Sequence, residues 1–187
     1  MTTITLSAAG ARRALGAIVE AADDADAVTA YARAVWSVLT EPSDRIAGTL
    51  IPALGPVAAL EAVLGAGGVP AAARDAGVGS AEFAAARSRW MPRIAGVEHP
   101  LELARRAGVQ LVTPEDADWP LRAHDLGPGA PICLWLRGDA RVLAAPGPAV
   151  ALVGARAATS YGEHVATELA AEAALGGITV VSGGAYG

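Results

Sequence analysis

The sequence predicts an α/β protein in two parts, a small all-helical domain followed by a parallel sheet. Three observations predict it. From residue 28 to about residue 107 apolar residues recur at helical spacing, in short pieces broken by Gly and Pro. Near Gly108 the texture changes to short apolar runs of strand length. The last forty or so residues read strand, helix, strand, a unit whose right-handed crossover sets two strands parallel in one sheet. The expected division is an N-terminal extension over 1–25, a helical domain over 26–107 and a sheet domain over 108–187, with four strands in one sheet.

Taken in order, residues 1–25 end in the acidic run "AADDADA" and form a helix or an extension to which no chemistry attaches. In "LIPALGPVAALEAVLGAGG", Leu50, Leu54, Val57, Leu60 and Leu64 keep helical spacing on either side of Gly55-Pro56. Gly suits the position after one helix and Pro the first position of the next, so two short helices meet at a tight turn. Such a pair resembles a helix-hairpin-helix or SAM-like module, which can hold a nucleic-acid backbone on its turn amides. Plain helix packing accounts for the same spacing.

Beyond Gly108, residues 109–112 form a short strand, Pro114-Glu115-Asp116 a turn, and a helix or turn follows Trp119-Pro120. "PICLWLRGD" supplies a second strand ending at Gly138-Asp139. After the linker "AAPGP", residues 150–153 are all apolar, as a central strand covered on both faces should be. Ser160 with Glu163 three residues on reads as a capping box that opens a helix. Val165, Leu169 and Ala173 line one face of that helix, Glu168 and Glu172 the other. Gly176-Gly177 stops it, and "ITVV" is the next strand.

Composition narrows the function classes. Of the 53% hydrophobic residues 46 are alanine, and aromatics are only 4%, so the core rests on Val, Leu and Ile with a few tryptophans. No apolar run reaches the roughly 18 residues of a membrane helix, and "MTTITLSAAGARR" lacks a basic region followed by an apolar block. A soluble, cytoplasmic protein without membrane attachment is expected. Cys133 is the single cysteine and lies in an apolar run, as a small core residue would. His99, His124 and His164 are far apart with no ligand spacing, so neither metal nor cofactor is expected.

Net charge is −5 and all 14 basic residues are arginine, a global balance that argues against a nucleic-acid binder. Yet residues 85–110 carry five Arg against two acids. "RSRWMPR" and Arg105-Arg106 read as a solvated helix face or as a basic patch.

Parallel strands send their following loops to the same sheet edge, where ligands of open α/β sheets bind. One loop is Gly154, Ala155 and Arg156; the other is Ser182, Gly183, Gly184 and Ala185. Gly154 admits a ligand to the backbone, the helix start offers amides, and Arg156 is a planar, permanently charged fork for phosphate. Ser182 adds a hydroxyl, and Gly183-Gly184 can present successive amides to an anion. A dinucleotide fingerprint fails, because Arg156 and Thr159 stand where its later glycines belong. A Walker loop fails for want of lysine. With no Ser/His/Asp set, no catalytic residue is expected. The residues alone describe a binder of phosphate of unspecified kind, or two tight turns.

"TPEDADWPLRAHDLGPGAPICLWLRGD", "VALVGARAATSYG" and "VVSGGAYG", in that order and spacing, resemble the DNA-processing protein A family (DprA, also called Smf). The resemblance is specific over about 112–187 and general over the helical domain. It implies a SAM-like domain followed by a Rossmann-like one, and binding of single-stranded DNA in the cytoplasm. It also implies protection of incoming DNA in natural transformation, delivery to the RecA recombinase, homodimers when the protein is full length, and no enzymatic activity. The DNA pocket it implies uses Gly154, Ala155, Arg156, Ser182, Gly183, Gly184 and Ala185, with Thr159, Tyr161 and Gly162 shaping the loop. Members continue past the position of Gly187 with Ile-Asp and Ala-His, so a truncated Rossmann-like sheet is expected here, with dimer and recombinase contacts lying beyond it. The alternative resemblance is to lysine-decarboxylase-like phosphoribohydrolases of nucleoside monophosphates, which share the strand, helix and "VV-x-GG" order but lack the helical domain.

Overall fold

The computed structural model describes residues 4–144 and 147–184. The chain divides into two compact units, Met1–Ala144 and Ala145–Gly187, each taken by itself below.

In the first unit α2 (Asp24–Leu39) is the central element. Asp23 starts it, its carboxylate accepting the N–H groups of Ala25 and Asp26 at 2.8 and 2.9 Å. Ala32, Ala34, Val35, Trp36 and Leu39 along it are fully buried. Helix α1 (Ala8–Leu15) packs on α2, and Ala11, Leu15 and Ile18 enter the same core. Residues 8–18 are therefore structural members of the helical unit.

The Gly-Pro turn forms as the sequence predicts. Helices α3 (Arg45–Leu54) and α4 (Pro56–Leu64) meet at Gly55 and diverge by 115°. Gly55 has φ +80°, and Pro56 is the first residue of α4. Leu50 and Leu60 are buried as expected, joined by Ile51, Ala59 and Val63; Leu54, Val57 and Leu64 are half-buried. The Trp36 indole N–H donates to the Pro56 carbonyl at 3.0 Å, and its ring meets Trp90 edge-on at 5.2 Å. The turn carbonyl is thus turned inward, and the turn is tied to the core.

Helices α5 (Ala71–Asp75), α6 (Ser80–Trp90) and α7 (Glu98–Ala107) complete the helical part. The arginine cluster here is neither a simple solvated face nor an open patch. Arg87 donates to the carbonyls of Val63 and Gly65 at the end of α4, at 2.6 and 2.7 Å. Arg93 donates to the Leu39 carbonyl at the end of α2 and pairs with Glu41. Arg105 donates to the Ala14 carbonyl at the end of α1 and pairs with Glu102, as does Arg106. The two guanidinium groups hold the Glu102 carboxyl below the usual range. The last carbonyls of a helix lack intrahelical donors and carry the negative end of its dipole, so these arginines close three helices.

The expected four-stranded sheet is not formed. Among the described residues there are two separate two-stranded sheets. Strands β1 (Gln110–Val112) and β2 (Leu134–Leu136) pair antiparallel within the first unit, Leu111 opposite Trp135. The reason is in the burial: Leu111 and Cys133 face the helical core, which holds the pair. Between the strands the chain makes a 3-10 stretch, Leu121–Gly129. Arg33 fastens the chain on either side of it, donating to Glu115 at 2.6 Å and to the Ile132 carbonyl at 3.2 Å. Burial raises the Glu115 carboxyl, but the hydrogen bonds and charge of Arg33 outweigh it and leave it below the ordinary range.

The second unit is β3 (Ala149–Leu152), α8 (Ser160–Leu175) and β4 (Thr179–Ser182). The strands are parallel, with Val150 opposite Val180 and Leu152 opposite Ser182. Two sequence expectations are corrected. Thr159, not Ser160, caps α8: Thr159 is extended (φ −82°, ψ 161°) and its hydroxyl accepts the Gly162 N–H at 3.2 Å, whereas Ser160 is already helical. Nor is β3 covered on both faces. Leu152, Val180, Val165 and Ala173 are half-buried between sheet and helix, while Ala149, Ala151 and Val181 on the opposite face are exposed. Leu169, expected in the packed stripe, is also exposed. Among the described residues no single helix is long and apolar enough to cross a membrane.

Candidate nucleic-acid interface

The register of β3 and β4 builds this edge. With Leu152 opposite Ser182, the chain leaves both strands at the same level and on the same side. Gly154, Ala155 and Arg156 follow one strand, Gly183 and Gly184 the other. Ala185 lies outside the described residues, as do Tyr186 and Gly187. The parallel pairing therefore brings the two predicted loops together on one edge.

Each loop has its own local logic. In the first, residues 153–159 run without regular structure to Thr159, and all are exposed. A Cβ added at Gly154 would meet no atom within 4 Å, so the space over this residue is open to a ligand. Arg156 makes no hydrogen bond or ion pair among the described residues, unlike the arginines that close helices in the first unit. At the start of α8 the Gly162 N–H is taken by Thr159, and the N–H groups of Ser160 and Tyr161 have no intrahelical acceptor.

In the second loop the Ser182 hydroxyl accepts the Gly184 N–H at 3.3 Å. Gly184 has φ +64°, a conformation other residues rarely take. This local bond means that Gly183 and Gly184 do not offer two free successive amides. The Ser182 hydroxyl keeps its own proton, however, and can donate it outward.

The chemistry available is anion binding: one guanidinium, helix-start amides, a hydroxyl donor and open glycine backbone. Glu163, no longer engaged in a cap, and the His164–Glu168 pair at 3.3 Å lie along α8. Among the described residues no three His, Cys, Asp or Glu side chains converge as a metal site would require.

Sequence reading missed the exposure of Tyr161, to which the resemblance gave only a loop-shaping part. Its side chain is 77% exposed. The signal was present: 161, 164, 168 and 172 share the polar face of the helix.

A cleft of about 320 Å³ in the first unit, between the end of α2 and residues 126–133, offers no comparable chemistry. Ser37 donates to the Ala34 carbonyl and accepts from the Trp135 indole, while Thr40 donates to the Trp36 carbonyl. Asp44 accepts from Ile46, Ala47 and Trp90. Burial pushes the Cys133 thiol up to about 11, so it stays protonated and inert near neutrality.

A helical unit, and a parallel strand–helix–strand unit with glycine loops and an arginine at one edge, define an α/β protein whose polar groups gather at that edge. Residues 110–187 match the sequence pattern of the DNA recombination-mediator protein A family. Two proteins of Mycobacterium tuberculosis, from strains CDC 1551 / Oshkosh and ATCC 25618 / H37Rv, provisionally named DNA processing protein DprA, are similar. Each is 40% identical over 171 residues, which is 85% of this chain and 40% of the relative. The chain thus spans 40% of the length of the curated relatives it matches. No solved structure matches it.

Proposed function

We propose that this chain acts in DNA processing during recombination by holding the backbone of single-stranded DNA at the carboxyl edge of β3 and β4. One observation carries the reading: Arg156, without a protein partner among the described residues, shares an edge with two open glycine loops, in a segment that matches the recombination-mediator family. Arg156 pairs with a phosphate. Amides at the start of α8, the Gly154 backbone and the Ser182 hydroxyl take neighbouring oxygens, and Gly183 and Gly184 complete the edge.

The role is one of binding, without catalysis. The helical unit is a SAM-like domain, and the β3–α8–β4 unit is the start of a Rossmann-like one. The bound strand is protected in the cytoplasm and passed to the RecA recombinase, as in natural transformation, by a protein that works as a homodimer.

The test is fluorescence anisotropy with a labelled oligothymidine over a salt series. Arg156→Ala should weaken binding about tenfold near 0.1 M salt, the scale of one charge-assisted contact. Its slope of log affinity against log salt should flatten by about 0.7, the value for one phosphate on a single strand. Equal affinity and equal slope in the two proteins would remove Arg156 from the interface.

A further inference from the structure

We propose that Tyr161 is a base-stacking contact, so that this edge reads the faces of unpaired bases as well as phosphates; the inference rests on the function proposed above. Tyr161 is the second residue of α8 and stands in the chain directly after the loop that carries Arg156. Its neighbours Thr159 and Ser160 are small and exposed, and Gly162 is half-buried. Thr159 holds the Gly162 N–H, and a Cβ on Gly162 would lie 3.7 Å from the Ala158 methyl and the Thr159 hydroxyl. Tyr161 faces out, 77% exposed, and its phenol makes no hydrogen bond among the described residues.

Position is what distinguishes it. Along the same helix face His164, Glu168 and Glu172 are polar, with His164 and Glu168 paired at 3.3 Å, and the exposed Leu175 closes the face at the far end. An aromatic ring replaces them only at the end of the helix that meets the loop. A ring carries no charge for a phosphate, but offers a flat face to a base, and the guanidinium of Arg156, five residues earlier in the chain, takes the backbone. In a duplex the base faces are already stacked on one another. An exposed ring therefore favours single strands, tolerantly of sequence because every base has a π-face.

The experiment compares a labelled oligothymidine with an abasic strand of equal length, both titrated against the purified chain at fixed salt. The unaltered chain should bind the oligothymidine about tenfold more tightly than the abasic strand, the scale of one stacked base. Tyr161→Ala should abolish that preference while leaving abasic affinity and its salt slope unchanged. Tyr161→Phe should restore it, since the ring and not the hydroxyl stacks. Retention of the base preference in Tyr161→Ala overturns the inference, and so does its loss in Tyr161→Phe. Arg156→Ala separates the two readings, because it should lower affinity for both strands equally and keep the preference. If Arg156→Ala leaves abasic affinity intact, the phosphate site fails on its own terms; if the unaltered chain binds neither strand, both readings fall.

Discussion

At the start of α8 two hydroxyl residues stand side by side, and only one can cap. A capping side chain must come from a residue whose own backbone is not yet helical, because only from there does its oxygen reach forward to the amides of the first turn. Thr159 meets that condition and Ser160 does not. The sequence pattern favoured Ser160, since Glu163 stands where a capping box wants its acid, yet the helix begins at Ser160 itself, one residue earlier than that box requires. Thr159→Ala should therefore destabilise the β3–α8–β4 unit by about 1 kcal/mol, and Ser160→Ala by little or nothing. Urea unfolding followed by far-UV circular dichroism of the two variants decides it, and the reverse order would reinstate the box. The site residues show the same divide between what is local and what is not. Arg156 and the glycines were readable because their chemistry is in the side chain, or in its absence. The bond from the Gly184 amide to Ser182 depends on the loop's turn, which no spacing rule specifies.

Among the elements, the turn between α3 and α4 was legible because Gly55 and Pro56 act on their own backbone. Gly48, inside α3, illustrates the opposite case. A glycine in a helix interior costs roughly 0.5–1 kcal/mol relative to alanine, so local reasoning expects Gly48→Ala to stabilise. A Cβ on Gly48 would instead overlap the carbonyl of Pro128, in the 3-10 stretch that packs against α3. Backbone cannot give way as a long side chain can. Gly48→Ala should destabilise by about 1–3 kcal/mol, the cost of overpacking, as a lowered midpoint in thermal or urea unfolding. A raised midpoint would show that residues 121–129 can retreat without loss. The same kind of contact explains why β1 and β2 form a sheet of their own where four strands in one sheet were expected. Their length and apolar character were visible in the sequence. Their pairing followed from Leu111 and Cys133 facing helices that lie far away in the chain.

Across the whole chain, what matters is where the arginines are employed. Charge counting marked residues 85–110 as the basic segment of an acidic protein, and a nucleic-acid surface would be sought there first. Three of its five arginines are instead committed, Arg87 to the end of α4, Arg93 to the end of α2 and Arg105 to the end of α1, while the exposed Arg89 and Arg106 pair with Asp44 and Glu102. A guanidinium already held by helix carbonyls and a carboxylate has little left for a phosphate, and releasing it would leave those carbonyls without donors. Local charge density thus misleads, and the exposed Arg156, alone in its loop, is the better candidate although its surroundings are not basic. The prediction separates the two uses of arginine. Arg87→Gln and Arg93→Gln should each lower stability by about 1–2 kcal/mol, at the lower end for charged hydrogen bonds because these side chains are partly solvated. Combined, they should leave single-strand affinity within about twofold and the salt slope unchanged, provided binding is measured where both proteins are folded. If the helical unit does present these groups to DNA, two lost phosphate contacts would instead flatten the slope by about 1.4. Urea unfolding and salt-dependent anisotropy on the same double variant therefore give opposite results for an arginine that closes a helix and one that holds a strand.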